Sequence, residues 1–185
     1  MKTTNNATTT LYELDEVKAL CDIAPTMDIE ALCDIAHAQR YALAERYDKT
    51  PNDFAFLMGL LNEVWCRGTK SRQNKTVKPN GSADMYITVD GKRTPVEIKC
   101  GQCDIANTLN AEYVVYTFYF NNSNGRHFAK PVIMKGKTFY NDIVKGGYHK
   151  DYKLKGQSVK LCKLLKSGKY TEYVPNKVWN SNEIK

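Results

Sequence analysis

Residues 83–100 have the sequence ADMYITVDGKRTPVEIKC, in which apolar and polar residues alternate on both sides of the pair Asp90-Gly91. Alternation with a period of two is typical of a half-buried strand, and Asp-Gly between two such runs indicates a type I′ hairpin. We therefore predict strands over 83–89 and 94–100, joined by a tight turn.

The hairpin brings three charged side chains to one face. With a two-residue loop, paired residue numbers sum to 181, so Asp84 lies opposite Glu97, and Lys99 follows on the same face of its strand. A four-residue loop changes the sum to 183 but keeps the faces. The opposite face is apolar and consists of Met85, Ile87, Val96 and Ile98.

Two carboxylates that face each other across a strand pair repel, and a divalent cation offsets that repulsion. Mg²⁺ is bound in proteins by one or two carboxylates together with water and phosphate oxygens. A lysine beside the ion can orient an attacking water and stabilise charge at phosphorus. The alternative is a surface strand on which Lys99 neutralises Glu97 and Asp84. The residues alone leave both interpretations open.

A helix is predicted to precede the hairpin. Thr50 is a candidate cap, Pro51 suits the first helical position, and Asp53 completes a capping box. The predicted core stripe consists of Phe54, Leu57, Met58, Leu61 and Trp65. Glu63 lies off that stripe, where it can form an i,i+4 pair with Arg67.

In this context, S-A-D ending at Asp84 and E-I-K from Glu97 to Lys99 resemble the motif of the PD-(D/E)xK nuclease superfamily. The resemblance covers roughly residues 50–145, and Ala83 stands where the family motif has proline. It implies a restriction-endonuclease-like core in which Asp84 and Glu97 bind Mg²⁺, Mn²⁺ can substitute for Mg²⁺, and Lys99 positions the nucleophilic water. It also implies that Glu63 joins the metal site.

The resemblance implies a Mg²⁺-dependent DNA endonuclease that hydrolyses phosphodiester bonds. One active site cuts one strand, so double-strand cleavage would require a homodimer. One alternative is a catalytically inactive nucleic-acid-binding or regulatory module on the same fold. Another is a thiol or zinc module built on Cys100 and Cys103, although a lone CxxC lacks two of the four ligands of a zinc site.

The rest of the chain completes a mixed α/β pattern of the order ααα–ββββ–α. Helices are predicted over 11–24, after a cap at Thr26 or Asp28, and over 137–147, and strands over 112–120 and 126–134. Because residues 112–120 are apolar on both faces, that strand is predicted to be central. We divide the chain into an N-terminal helical segment (1–49), a nuclease core (50–147) and a basic C-terminal segment (148–185).

Charge is distributed unevenly along the chain. Residues 1–66 carry a net charge of −6 and residues 67–185 one of +13. A basic region indicates a polyanion such as DNA, although charge does not distinguish DNA from RNA and also suits a solvated surface. The predicted nucleic-acid-binding residues are Lys70, Arg72, Lys75, Lys78, Lys153 and Lys155. Five tyrosines interleaved with lysines could stack on unpaired bases: Tyr140, Tyr148, Tyr152, Tyr170 and Tyr173.

The sequence also excludes some classes of protein. The longest apolar run, Phe54–Leu61, is far shorter than the roughly 20 residues that span a bilayer, and residues 1–10 lack the apolar region of a signal peptide. We therefore expect a cytoplasmic or other intracellular protein with no membrane partner. In such a compartment the six cysteines are expected to be reduced.

Overall fold

A helical unit and a sheet-based unit make up the fold, and the predicted mixed α/β class is confirmed. The computed structural model describes residues 11–68, 83–101, 108, 111–123, 125–148 and 157–185. The two units are Met1–Asn80 and Gly81–Lys185. The finer division at residues 49 and 147 stays a prediction.

The first unit contains three α-helices and a short 3₁₀ turn, Ala24–Thr26. The helices are α1 (Asp15–Ile23), α2 (Ile29–Arg46) and α3 (Phe56–Arg67). Helix α2 begins where predicted, because Asp28 Oδ1 accepts hydrogen bonds from the backbone N–H groups of Glu30 and Ala31, each at 3.0 Å. These bonds satisfy two of the donors that a helix start leaves without an intrahelical partner.

Helix α3 begins at Phe56 rather than at Pro51, so the predicted start was wrong. Half of the predicted capping box is present, since Asp53 Oδ2 accepts from both the backbone N–H and the hydroxyl of Thr50 at 2.8 Å. Asp53 N–H in turn donates to the Thr50 carbonyl at 3.0 Å, a three-residue spacing that belongs to a turn. The motif therefore closes a turn, and the helix starts after it.

The predicted hairpin is observed in the second unit. Strand β1 (Met85–Val89) pairs antiparallel with strand β2 (Lys92–Cys100), with Met85 opposite Val96, so paired numbers sum to 181. Asp90 and Gly91 both have positive φ, 48° and 75°, as a type I′ turn requires. The predicted apolar face is buried.

The central strand is also observed. Strand β3 (Tyr113–Asn122) pairs parallel with β2 and antiparallel with β4 (Gly125–Lys135), and β5 (Thr171–Glu172) completes a mixed sheet of order β1-β2-β3-β4-β5. Residues 113–119 are buried whichever face they point to. The run apolar on both sides is therefore a covered central strand, as predicted.

Helices cover the β3–β4 part of the sheet. The predicted helix over 137–147 corresponds to α4 (Gly136–Phe139), which continues as a π-type helix over Tyr140–Tyr148. Helix α5 (Gln157–Leu165) follows, where the sequence showed only a weak period. The shared core cluster includes Val114, Tyr116, Phe118, Met134, Phe139, Ile143, Leu161 and Tyr170.

The C-terminal segment, residues 171–185, contacts both ends of the β1–β4 order, which the sequence did not predict. At one end, Thr171 pairs with Ile133 of β4. At the other end, Trp179 forms a parallel bridge with Val89 of β1, and the backbone N–H of Trp179 donates to the carbonyl of Thr88 at 2.9 Å. Trp179 is buried and stacks on Tyr173, with ring centroids 6.0 Å apart. The segment therefore occupies the Val89 end of β1, an edge strand whose backbone groups would otherwise be open there to pairing with other chains.

The same segment predicts a pH-dependent contribution to stability. Hydrogen bonds from the side chain and backbone of Ser181 hold the pKa of Asp90 below its ordinary value of 3.8. A lowered folded-state pKa stabilises the fold above the unfolded pKa, and this contribution is lost as pH falls through the folded-state pKa. Asp90→Asn keeps a residue that tolerates positive φ. We therefore expect Asp90→Asn to melt at a lower temperature than wild type near neutral pH, and the difference to vanish at acid pH. Thermal melts across that range test this, and a pH-independent difference would contradict it.

Candidate active site

Asp84 lies immediately before β1 and is half-buried. Its Oδ2 accepts a hydrogen bond from the backbone N–H of Ile98 at 2.9 Å. The register that pairs Met85 with Val96 sets Asp84 opposite Glu97. The side chain of Asp84 thus continues the strand pairing past the last backbone partner, which orients its carboxylate.

Glu97 and Lys99 lie two residues apart on the same face of β2. The Nζ of Lys99 donates to Oε1 of Glu97 at 2.8 Å, and the two side chains are 14% and 10% exposed, respectively. A close ion pair with little access to water is screened far less than a surface pair. The hairpin therefore brings Asp84, Glu97 and Lys99 to one face, while their catalytic roles stay predictions.

Glu63 belongs to the helical unit, where α3 holds it buried. Arg67 Nη2 donates to its Oε2 at 3.4 Å, so the i,i+4 pair that the spacing allowed is present. Burial, together with the negative charge of Glu63, raises the pKa of Tyr12 to about 12. Glu63 thus has a structural partner on its own helix, and its role as a metal ligand stays a prediction.

The donor set on the hairpin suits a hard cation. Asp84 and Glu97 supply carboxylate oxygens, and Mg²⁺ takes one or two carboxylates and completes its shell with water and phosphate oxygens. Among the residues that the structure describes, no group of three or more His, Cys, Asp or Glu side chains is arranged to hold a metal ion. The hairpin itself offers the two carboxylates of Asp84 and Glu97.

All six of the predicted nucleic-acid-binding residues lie outside the described residues. They are Lys70, Arg72, Lys75, Lys78, Lys153 and Lys155. Five other lysines, between residues 145 and 169, are described and exposed: Lys145, Lys160, Lys163, Lys166 and Lys169. One of them, Lys169, forms an ion pair of 2.8 Å with Asp142. The described lysines present positive charge to solvent, which suits a phosphate backbone without identifying one.

The tyrosines do not all fit the predicted stacking role. Tyr170 and Tyr173 are buried, so the expectation that they stack on bases was wrong. Burial, together with the hydrogen bond that the Tyr170 hydroxyl donates to Asp142 Oδ2 at 3.0 Å, raises the pKa of Tyr170. These two rings are part of the buried core, although lysines stand near them in the sequence.

The exposed aromatic ring on the candidate face is Tyr86, which the sequence reasoning missed. Tyr86 is 45% exposed, and the guanidinium carbon of Arg93 lies 3.8 Å from its ring centroid. The signal was present in the sequence. Alternation from Asp84 reaches Tyr86 on the same face, and the pairing sum of 181 sets Arg93 diagonally across from it.

The CxxC alternative stays a prediction. Cys100 is half-buried at the end of β2, and Cys103 lies outside the described residues.

No helix in the described part of the chain has the length and apolar character needed to cross a bilayer.

Comparison of the chain with protein-family models, with curated proteins and with solved structures finds no match. The likeness to the nuclease motif therefore rests on residues 82–99 and on the helix and strands around them. The geometry of the hairpin is the basis for inferring a function.

Proposed function

We propose that this chain is a Mg²⁺-dependent DNA endonuclease that hydrolyses phosphodiester bonds on a restriction-endonuclease-like core. The observation that carries the proposal is the set of three charged groups on one face of the hairpin. Asp84 lies opposite Glu97, and Lys99 contacts Glu97 at 2.8 Å. Residues 81–185 hold 17 basic and nine acidic side chains, a net charge of +8, which favours a polyanionic substrate.

The residues divide the chemistry among them. Asp84 and Glu97 would hold Mg²⁺, or Mn²⁺ in its place, and a metal-binding role for Glu63 stays a prediction. The bound ion supplies positive charge that activates water and stabilises the phosphate. Lys99 donates hydrogen bonds, so its Nζ can orient the attacking water and stabilise the negative charge that develops on phosphate oxygens. Water would form a new bond to phosphorus, the bond between phosphorus and the leaving oxygen would break, and a proton from the water would pass to the leaving oxygen.

The sheet gives these groups a rigid base. Glu97 and Lys99 pair in register with Val114 and Tyr116 of β3, both of which are buried. Side chains carried on covered strands hold their geometry better than side chains on loops. Their placement beside a central strand therefore supports a site that is formed before substrate binds.

A second candidate is a nucleic-acid-binding or regulatory module without catalysis. It is favoured by the contacts themselves, because the Asp84 carboxylate satisfies Ile98 N–H and the Glu97 carboxylate satisfies Lys99. Each acid thus has a stabilising role that requires no metal. Cleavage assays separate the two candidates.

We expect the purified protein to nick supercoiled plasmid with Mg²⁺ or Mn²⁺ and to bind DNA without cutting it with Ca²⁺, which holds its ligands more loosely. Asp84→Asn keeps an acceptor for Ile98 N–H but removes the charge, so it should fold and lose about 100-fold or more in cleavage rate. Linear product formed alongside nicked plasmid would indicate a dimer that cuts both strands.

The matched control is Glu172→Gln, which removes one charge from an exposed ion pair with Lys130 and should leave cleavage unchanged. Plasmid cleavage by Asp84→Asn at the wild-type rate, or wild-type cleavage that needs no metal, would contradict a metal site at Asp84. DNA binding by wild type with no cleavage in Mg²⁺ or Mn²⁺ would favour the binding module.

A further inference from the structure

The β1–β2 hairpin extends beyond the part of β2 that pairs with β3. Pairing between β2 and β3 begins at Val96, whereas pairing between β2 and β1 continues to Lys92. Within the described residues, the β2 segment 92–95 therefore pairs with β1 alone. Tyr86, Arg93 and Pro95 are exposed on this arm, whereas Ile87 and Thr94 on its other face are buried.

The guanidinium group of Arg93 lies over the ring of Tyr86 on that arm in a cation–π contact, with the guanidinium carbon 3.8 Å from the ring centroid. Pro95 lies directly opposite Tyr86 and adds a rigid apolar ring to the same surface. A flat aromatic and guanidinium surface is the kind of surface on which single-stranded nucleic acids stack their bases. The positive charge of exposed Arg93 complements the adjoining phosphates.

The stack also lies close to the candidate active site. Tyr86 is two residues from Asp84 on the same face, a distance of about 7 Å along a strand. A base stacked on Tyr86 and Arg93 and a phosphate held at Asp84 can therefore belong to the same or to neighbouring nucleotides. Inside a duplex both faces of a base are covered by its neighbours, so this surface would accept an unpaired base.

We propose that Tyr86 and Arg93 form a stacking platform for an unpaired base, and that the substrate is single-stranded DNA or a single-stranded part of a longer DNA. This inference rests on the proposed nuclease function and assigns its substrate class. The platform positions the strand beside Asp84, Glu97 and Lys99.

The test measures binding separately from cleavage. Fluorescence anisotropy in Ca²⁺ compares a labelled oligodeoxythymidine with a duplex of the same length. Tyr86→Ala should weaken single-strand binding about five- to 150-fold, as expected for the loss of one stacked base, and leave duplex binding unchanged. Tyr86→Phe keeps the ring and should bind like wild type. The matched control is Tyr41→Ala, since Tyr41 is 51% exposed beside Arg40 on the helical unit and should have no effect.

Each other outcome is informative. Equal losses for single strand and duplex, no loss in Tyr86→Ala, or an equal loss in Tyr41→Ala would overturn the platform. If wild type cuts plasmid with Mg²⁺ while Tyr86→Ala binds single strands normally, the platform is wrong and the nuclease stands. If Tyr86→Ala loses single-strand binding but wild type cuts no DNA with any metal, the platform stands on a binding module.

Discussion

Lys99→Met is expected to abolish DNA cleavage while leaving DNA affinity nearly unchanged. Removing one preorganised donor from the reacting phosphate costs about 100- to 1,000-fold in rate, whereas one charge among the many lysines of this chain adds little to binding. Methionine keeps most of the side-chain volume, so packing beside Tyr116 is preserved. The rate of plasmid nicking with Mg²⁺ and the affinity measured in Ca²⁺ check the two halves of this expectation.

Two further variants make the Lys99 result interpretable. Lys163→Met removes a lysine that is fully open to solvent, and it should leave the cleavage rate unchanged. The double change Glu97→Gln with Lys99→Met removes both charges of the half-buried pair and should melt no lower than Lys99→Met alone. If Lys99→Met cuts plasmid as fast as Lys163→Met does, Lys99 serves only to neutralise Glu97 and has no part in cleavage.

Trp179→Ala is expected to lower the free energy of unfolding by about 3–5 kcal/mol. The indole is 2% exposed, stacks on Tyr173, and belongs to the segment that bridges to β1. Removing it leaves a cavity and loosens the cover of an edge strand. Since a domain is stable by only about 5–15 kcal/mol, this variant should lose much of its margin. Urea unfolding followed by circular dichroism measures the change.

The neighbouring Val178 provides the control for this variant. It is 67% exposed, and Val178→Ala should change the free energy of unfolding by less than about 0.5 kcal/mol. Similar losses in the two variants would mean that the C-terminal segment is held by its backbone contacts rather than by the buried indole.

The hairpin could be predicted because its information is local. The Asp90-Gly91 turn and the alternation beside it determine the register, and the register determines that Asp84, Glu97 and Lys99 share a face. The central position of β3 followed from apolar residues on both faces. The same rule places Tyr86 and Arg93 on the candidate face. Proximity to lysines in the sequence, by contrast, selects other tyrosines, two of which are buried.

The remaining errors concern features that are not local. Nothing near Trp179 in sequence indicates that it pairs with Val89, since the partner lies far away along the chain. The start of α3 failed for a different reason, because the Thr50 and Asp53 hydrogen bonds stabilise a turn as well as a helix cap. The burial of Tyr170 and Tyr173 was mispredicted because it depends on how the C-terminal part of the chain packs against distant residues, which the local sequence does not indicate.

The bridge between Val89 and Trp179 has a consequence for how this unit folds. The two residues are 90 positions apart, so a long chain loop must close before their contacts can form. Such closure is slow, and until it occurs the edge of β1 is open to pairing with other molecules. We therefore expect docking of the C-terminal segment to be a late step of folding, so that Trp179→Ala accelerates unfolding more than it slows refolding. Refolding at high protein concentration should favour aggregation through that exposed strand.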